Sequence, residues 1–305
     1  MSLSTNLVSV IIPTYNRAID LKRCLDSLVR QTYSKFEVII CDDGSSDNTI
    51  DVVESFKSIL DIIYTNGLNF GGPARPRNNG IKLSNGEYIA FLDSDDWWKP
   101  KKLEISVNML NLGFDVVYHD LWLVDITKKR LRKRVGARQL ISPVYDDLIK
   151  NGNALPNSSV LVRKEVLVRI NGFSEDRDLI AAEDFDCWLR LSKITEKFSL
   201  LPQTLGYYLH NGMNTSNPLR KSKNLKRLHE LYFVPYLNEH RFEIPNWFMY
   251  DSARTSYLIG EKEEAKKIFK ILLTRRLPFN LWFKVRWMLL NLKIVANFPH
   301  YKITK

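Results

Sequence analysis

Residues Tyr88–Leu92 form an unbroken apolar run of strand length, and it empties at once into Asp93, Ser94, Asp95 and Asp96. A strand without polar alternation is buried on both faces, which points to a parallel sheet covered by helices. Residues two apart on an extended backbone point the same way, so Asp93 and Asp95 can face one ligand while Ser94 faces away. Such a pair repels itself unless a cation sits between. An all-oxygen donor set suits Mg2+ or Mn2+, and those ions keep positions open for phosphate oxygens. The same residues also admit a plainer reading, a solvated loop in which Asp96 caps the helix that Pro100 helps to start.

The chain before this stretch repeats the design. Val8–Ile12 reads as a buried strand closed by Pro13, Thr14, Tyr15 and Asn16, and the next helix carries Leu21, Cys24, Leu25 and Leu28 at core-facing spacing. A second strand, Phe36–Cys41, runs into Asp42, Asp43 and Gly44, and a helix follows over Thr49–Ser58. A third strand, Ile62–Tyr64, opens a Gly/Asn loop before a helix with Arg77 and Asn78. This alternation predicts right-handed crossovers and a mostly parallel sheet with ligands beyond the carboxyl ends of its strands. TYN, DDGS and DSDD all fall there.

Composition narrows the class. At 305 residues the chain can hold one large α/β domain and a smaller appendage, or two modest domains. Its three cysteines, Cys24, Cys41 and Cys187, lack any metal or disulfide spacing and fit a reducing compartment. Met1–Asn6 has no basic-then-apolar signal, and no uncharged apolar run is long enough to span a bilayer. The expected location is cytoplasmic, with peripheral attachment at the inner face of the membrane as an extension of it. Residues 1–215 carry 27 Lys+Arg and 27 Asp+Glu, whereas residues 216–305 carry 18 and 7, so the whole excess of +11 lies in the last 90 residues. That asymmetry predicts a domain of residues 1–215 and a basic appendage of 216–305, with the boundary near Asn214–Pro218. Confinement of the charge there, with no nucleic-acid-binding motif, argues against a nucleic-acid partner.

Four segments, Val8–Asn16 (VSVIIPTYN), Cys41–Ser45 (CDDGS), Phe70–Ile81 (FGGPARPRNNGI) and Glu87–Asp96 (EYIAFLDSDD), resemble the successive motifs of the family 2 inverting glycosyltransferases. The likeness runs from about Leu7 to His210. It implies an α/β fold of the GT-A type, a mostly parallel Rossmann-like sheet with a helical C-terminal appendage. It implies that Pro13 and Tyr15 pack on the nucleobase, that Asp43 accepts a uracil N–H, and that Arg77 lies near the base or the diphosphate, with Arg75 competing for that role. Asp93 goes to the ribose hydroxyls and Asp95 to a Mn2+ or Mg2+ ion bridging the diphosphate, with Ser94 between them in the nucleotide-sugar site. In Ala181–Leu191 (AAEDFDCWLRL), Asp184 takes the place of the catalytic base. In Gly206–Ser216 (GYYLHNGMNTS), His210 takes the place of a histidine that approaches the metal or diphosphate.

The implied activity is metal-dependent, inverting transfer of one sugar from a nucleotide donor, UDP-linked, to a hydroxyl of a glycan or lipid-linked glycan. A catalytically silent nucleotide-sugar-binding module is the competing reading. Lys128–Arg134 (KKRLRKR) is either a solvated hairpin tip or a lure for an anionic acceptor. Asn157–Val162 matches the family's acceptor-side strand. The last 90 residues lie outside the resemblance. They predict an αα-hairpin turning at Gly260, then the aromatic stretch Phe279–Phe298, where Lys284 and Arg286 fall on nearly opposite helical faces. Burial, an oligomer contact and attachment to an anionic bilayer all remain open for it. Phe283 stands where polymerising members carry the Gln of QxxRW, so processive synthesis is not expected.

Overall fold

In the computed structural model, which describes residues 6–125, 127, 129–210, 217–240 and 243–297, the apolar runs of the first half become parallel strands. These are β1 (Val8–Thr14), β2 (Phe36–Asp42), β3 (Ile62–Asn66) and β4 (Tyr88–Phe91), side by side in the order β3-β2-β1-β4. Register pairs Ile11 with Phe91 and Thr14 with Asp42, so the ends of β1, β2 and β4 emerge on one edge. Crossovers run through α1 (Ala18–Val29), α2 (Thr49–Phe56) and α3 (Ala74–Leu83). The expected stripe of Leu21, Cys24, Leu25 and Leu28 is the buried face of α1. Helix α3 lies so close to the sheet that a Cβ on Gly80 would stand 2.5 Å from Ile11 Cγ2.

Beyond β4 the sheet becomes mixed. The elements are β5 (Trp97–Trp98), α4 (Lys102–Asn111), β6 (Val116–Asp125), β7 (Arg130–Arg134), α5 (Val144–Asn151), β8 (Leu161–Arg163), α6 (Lys164–Arg169), α7 (Glu183–Ser192) and β9 (Phe198–His210). Spatial order continues β4-β8-β6-β9-β5, with β7 on β6. Strand β8 runs antiparallel to both β4 and β6, while β6 and β9 are parallel. That reversal matters for the site. An antiparallel β8 starts where β4 ends, so Asn157 and Ser158, just before it, arrive beside Asp93. For the same reason the C-terminal ends of β6 and β9, with Asp125 opposite His210, reach this edge.

The plainer reading of the acid loop does not hold. Asp96 does not cap a helix: α4 begins at Lys102 with Lys101 at its N-cap, and Asp96 Oδ1 instead accepts from the Leu209 amide at 3.1 Å. Trp97 and Trp98 belong to β5, paired with Tyr207 and Gly206, because a strand edge of β9 is available to them. In the basic cluster, residues 130–134 form β7 against β6, and Lys128 lies outside the described residues. The three cysteines are buried and unbridged.

The chain splits into two compact units, Met1–Leu148 with Asn153–Thr215, and Ile149–Gly152 with Ser216–Lys305. The expected boundary residues Asn214–Ser216 lie outside the described residues. The second unit holds α8 (Pro218–Leu228), a π-helical turn (His229–Phe233), α9 (Val234–His240), α10 (Asn246–Leu258), α11 (Lys262–Leu273) and α12 (Phe279–Asn297). Helices α10 and α11 form the hairpin, turning at Gly260 with φ +94°. Its core joins Ala253, Ala265, Phe269, Leu272, Val285 and Leu292. Trp247 Nε1 donates to the Ile149 carbonyl at 3.0 Å, which ties the last turn of α5 to this unit. Among the described residues no helix is long and apolar enough to cross a membrane.

Candidate active site

The carboxyl edge of the sheet gathers acids from three segments: Asp42 and Asp43 at the end of β2, Asp93, Asp95 and Asp96 after β4, and Glu183, Asp184 and Asp186 at the start of α7. Asp93, just past β4, uses one oxygen twice: Oδ1 accepts from Arg77 Nη2 at 2.6 Å and from Asn157 Nδ2 at 3.2 Å. Its amide donates to Ser158 Oγ at 3.1 Å. Arg77 is only 2% exposed and sends its other nitrogen, Nη1, to Glu183 Oε1 at 2.6 Å. Burial works against a charged guanidinium, yet the two carboxylates hold its pKa above the usual value. Arg77 is thus a clamp between α3, the end of β4 and α7.

Asp95 faces the start of α1. Its Oδ2 meets Arg17 Nη1 at 3.0 Å, and its carbonyl accepts from Arg23 Nη2 at 2.7 Å. Burial raises its pKa to about 6, with Arg17 opposing and Asp93 adding to the rise. Asp96 is more deeply enclosed, and burial, then Asp95 and Asp93, push its pKa up. Ser94 is buried between them.

On β2 both acids of DDGS brace loops. Asp42 accepts from the Ser45 amide at 2.8 Å and from Tyr64 OH at 2.9 Å, while Asp43 accepts from the amides of Phe70 and Gly71 at 2.9 and 3.1 Å. Each Asp43 oxygen keeps a lone pair for a further donor. Gly44 turns the chain with φ +88°, and a Cβ there would meet the Gly67 carbonyl at 3.0 Å. Pro13 is buried, whereas Tyr15 is 46% exposed and open to a flat ligand. Of the two arginines in ARPRN, Arg75 is the accessible one, paired with Glu175 at 2.9 Å and lying 4.0 Å from the Phe70 ring centre.

Helix α7 starts with three acids in different circumstances. Glu183 folds back to accept from the Ala181 amide at 2.6 Å while holding Arg77. Asp186 is bound by Arg190 at 2.6 and 2.9 Å. Asp184 accepts from the Phe185 amide at 2.7 Å and from Asn153 Nδ2 at 3.3 Å, and among the described residues it makes no ion pair. Burial, then the neighbouring Glu183, raises its pKa to about 7, with Arg77 opposing. Ala181, just upstream, sits in the left-handed region at φ +71°, a strained conformation for a residue with a Cβ. His210 ends β9, exposed, one residue from the amide that binds Asp96.

No group of three His, Cys, Asp or Glu side chains among the described residues could hold a metal alone. The chemistry nevertheless fits a hard divalent cation, since Mg2+ and Mn2+ are commonly held by one or two carboxylates and completed by substrate phosphates. Sequence reasoning missed Arg17, Arg23, Asn153 and Ser158 as site neighbours. Arg17 did leave a signal: a cation at a helix N-terminus opposes the macrodipole and needs an acid nearby. Asn153 left none.

The description "Glycosyl transferase family 2" matches residues 9–175, more than half of the chain. The chain belongs to that family and is a glycosyltransferase. It is 34% identical over 190 residues to the Escherichia coli UDP-Glc:alpha-D-GlcNAc-diphosphoundecaprenol beta-1,3-glucosyltransferase WfgD, covering 61% of this chain and 70% of that one. The chain spans about two thirds of the length of the curated relatives it matches. Among solved structures, S. aureus TarS 1-349 in complex with UDP-GlcNAc superposes with a TM-score of 0.59 at 17% identity, over 96% of this chain and 92% of that one. The mannosyltransferase PcManGT from Pyrobaculum calidifontis, in complex with GDP-Man and Mn2+, gives 0.55 at 16% identity, over 96% and 88%. The fold is therefore α/β of the GT-A type, with a mixed sheet and a helical C-terminal part.

Proposed function

We propose that this glycosyltransferase moves one sugar, a hexose or N-acetylhexosamine, from a UDP-linked donor to a hydroxyl of a glycan or lipid-linked glycan, with inversion, during cell-surface polysaccharide synthesis at the inner face of the membrane. The state of Asp184 carries the reading. Of the acids opening α7 it alone makes no ion pair among the described residues, and its pKa near neutrality suits a group that must be ionised at rest and protonated in the transition state. Its carboxylate takes the acceptor's hydroxyl proton as that oxygen bonds to the anomeric carbon and the bond to the diphosphate breaks. The names of WfgD and of the UDP-GlcNAc complex support the donor and acceptor classes.

On the donor side Tyr15 stacks on the uracil over Pro13, Asp43 accepts its N–H, and Asp93 offers Oδ2 to the ribose, its Oδ1 being occupied by Arg77 and Asn157. Arg77 acts by fixing Asp93. Asp95, with His210, would hold Mn2+ or Mg2+, which when bound supplies Lewis-acid stabilisation of the departing diphosphate.

Transfer from UDP-sugars to GlcNAc-diphosphoundecaprenol, followed with and without chelator, tests this. Asp184→Asn should keep wild-type UDP affinity and lose transfer by roughly 10²–10⁴-fold, the usual contribution of a positioned base. Asp186→Asn, which weakens the ion pair with Arg190, should cost far less. Near-normal turnover in Asp184→Asn would overturn the base, and UDP binding without transfer or hydrolysis of any UDP-sugar would mark a silent binding module.

A further inference from the structure

Helix α12 has two apolar faces, and the fold uses one. Val285 and Leu292 are buried against Ala265, Phe269 and Leu272 of the hairpin, with Leu281, Met288 and Leu289 partly covered beside them. The other face is open: Phe279 is 80% exposed, Phe283 57%, Trp287 57% and Leu290 50%. At 3.6 residues per turn these four positions align in one stripe along the helix. Four large side chains left in water on one line form a patch rather than scattered surface residues.

The borders of the stripe are cationic. Lys284 and Arg286 are both exposed and stand on either side of it, which accounts for their falling on nearly opposite faces. Arg286 also stacks over Trp282 at 4.4 Å. Residues 265–305 contain ten Lys+Arg and no Asp or Glu, so this stretch of the chain carries charge of a single sign. A second copy of the same face would set like charges against each other. Among the described residues no helix, α12 included, is long and apolar enough to cross a membrane. Aromatic side chains flanked by long cations match an interface of acyl chains beneath anionic headgroups, where the rings enter the apolar layer and the cations reach back to phosphate.

We propose that α12 lies flat on an anionic lipid bilayer, burying Phe279, Phe283, Trp287 and Leu290 among the acyl chains, with Lys284 and Arg286 at the headgroups. This attachment does not depend on the donor, the acceptor or Asp184, so it stands or falls apart from the proposed reaction.

Co-sedimentation of the full chain with vesicles of phosphatidylglycerol and phosphatidylcholine is the test. Binding should require phosphatidylglycerol and weaken as salt screens the charges. Phe283→Glu with Trp287→Glu, at exposed positions where folding does not depend on them, should lower the partition coefficient by about tenfold or more. Lys284→Glu with Arg286→Glu should remove the preference for anionic lipid. Hydrogen exchange on the unsubstituted chain gives a second reading, with vesicles expected to slow exchange over residues 279–290. Equal binding to neutral vesicles, equal binding by the Phe283/Trp287 variant, or unchanged exchange over α12 would overturn the proposal. So would self-association abolished by the same variant without vesicle binding, which would assign the stripe to a second copy.

Discussion

Keeping Asp184 ready to take a proton has a thermodynamic cost. Its carboxyl is raised from an ordinary 3.8 to about 7 in the folded chain, so between those values the native state holds a proton that the unfolded chain has released. Stability from this group is therefore present at acid pH and lost as pH rises through that window. Asp184→Asn has no proton to lose. Its melting temperature relative to wild type should climb from about pH 4.5 to about pH 8, while wild-type transfer rises over the upper part of the same range. An offset equal at both pH values in thermal unfolding would show that the carboxyl is not held protonated. The family resemblance singled out Asp184 in the string AAEDFDCWLRL, but nothing in the string gave a physical reason to separate it from Glu183 and Asp186. That distinction comes from Arg77 and Arg190, and Arg77 lies more than a hundred positions away from Glu183.

Helices α3 and α7 and the end of β4 meet at one guanidinium. Since Arg77 is enclosed and its two partners are carboxylates, Arg77→Met would leave Glu183 buried without a cation and should destabilise the fold by about 3–5 kcal/mol. A urea titration would show this as a lower midpoint at unchanged slope. If stability were unchanged and only UDP affinity fell, Arg77 would be touching the donor, as the family resemblance implies, rather than bracing Asp93. Strands β1, β2 and β4 were readable because a strand covered on both faces is a continuous apolar run. Strand β9 was not, since its thirteen residues include Pro202 and Gly206 and its pairing with β6 shifts register around Asp120. Such a strand is defined by its partner's edge, and no local periodicity announces it. The strand expected over Asn157–Val162 forms only at Leu161–Arg163, and its antiparallel setting, a tertiary fact, explains why Asn157 and Ser158, in a 3-10 turn before it, reach Asp93.

Two units share one chain unevenly, because Ile149–Gly152 belongs with the residues after 216. A chain ended at Ser216 should therefore bind UDP within about threefold of the full protein yet melt lower, since the end of α5 loses the Trp247 indole that donates to Ile149. Calorimetric loss of UDP binding by a shortened chain that is still folded would instead give the second unit a part in holding the donor. The same tie has a bearing on biosynthesis. Gly152, at φ +81°, lies 3.3 Å by its would-be Cβ from the Trp247 ring, and that ring is made about a hundred residues later. At roughly 5–20 residues per second, the sheet can close while the end of α5 waits uncovered for about 5–20 s. In a nascent polypeptide that interval is when a chaperone or a protease has access to the end of α5.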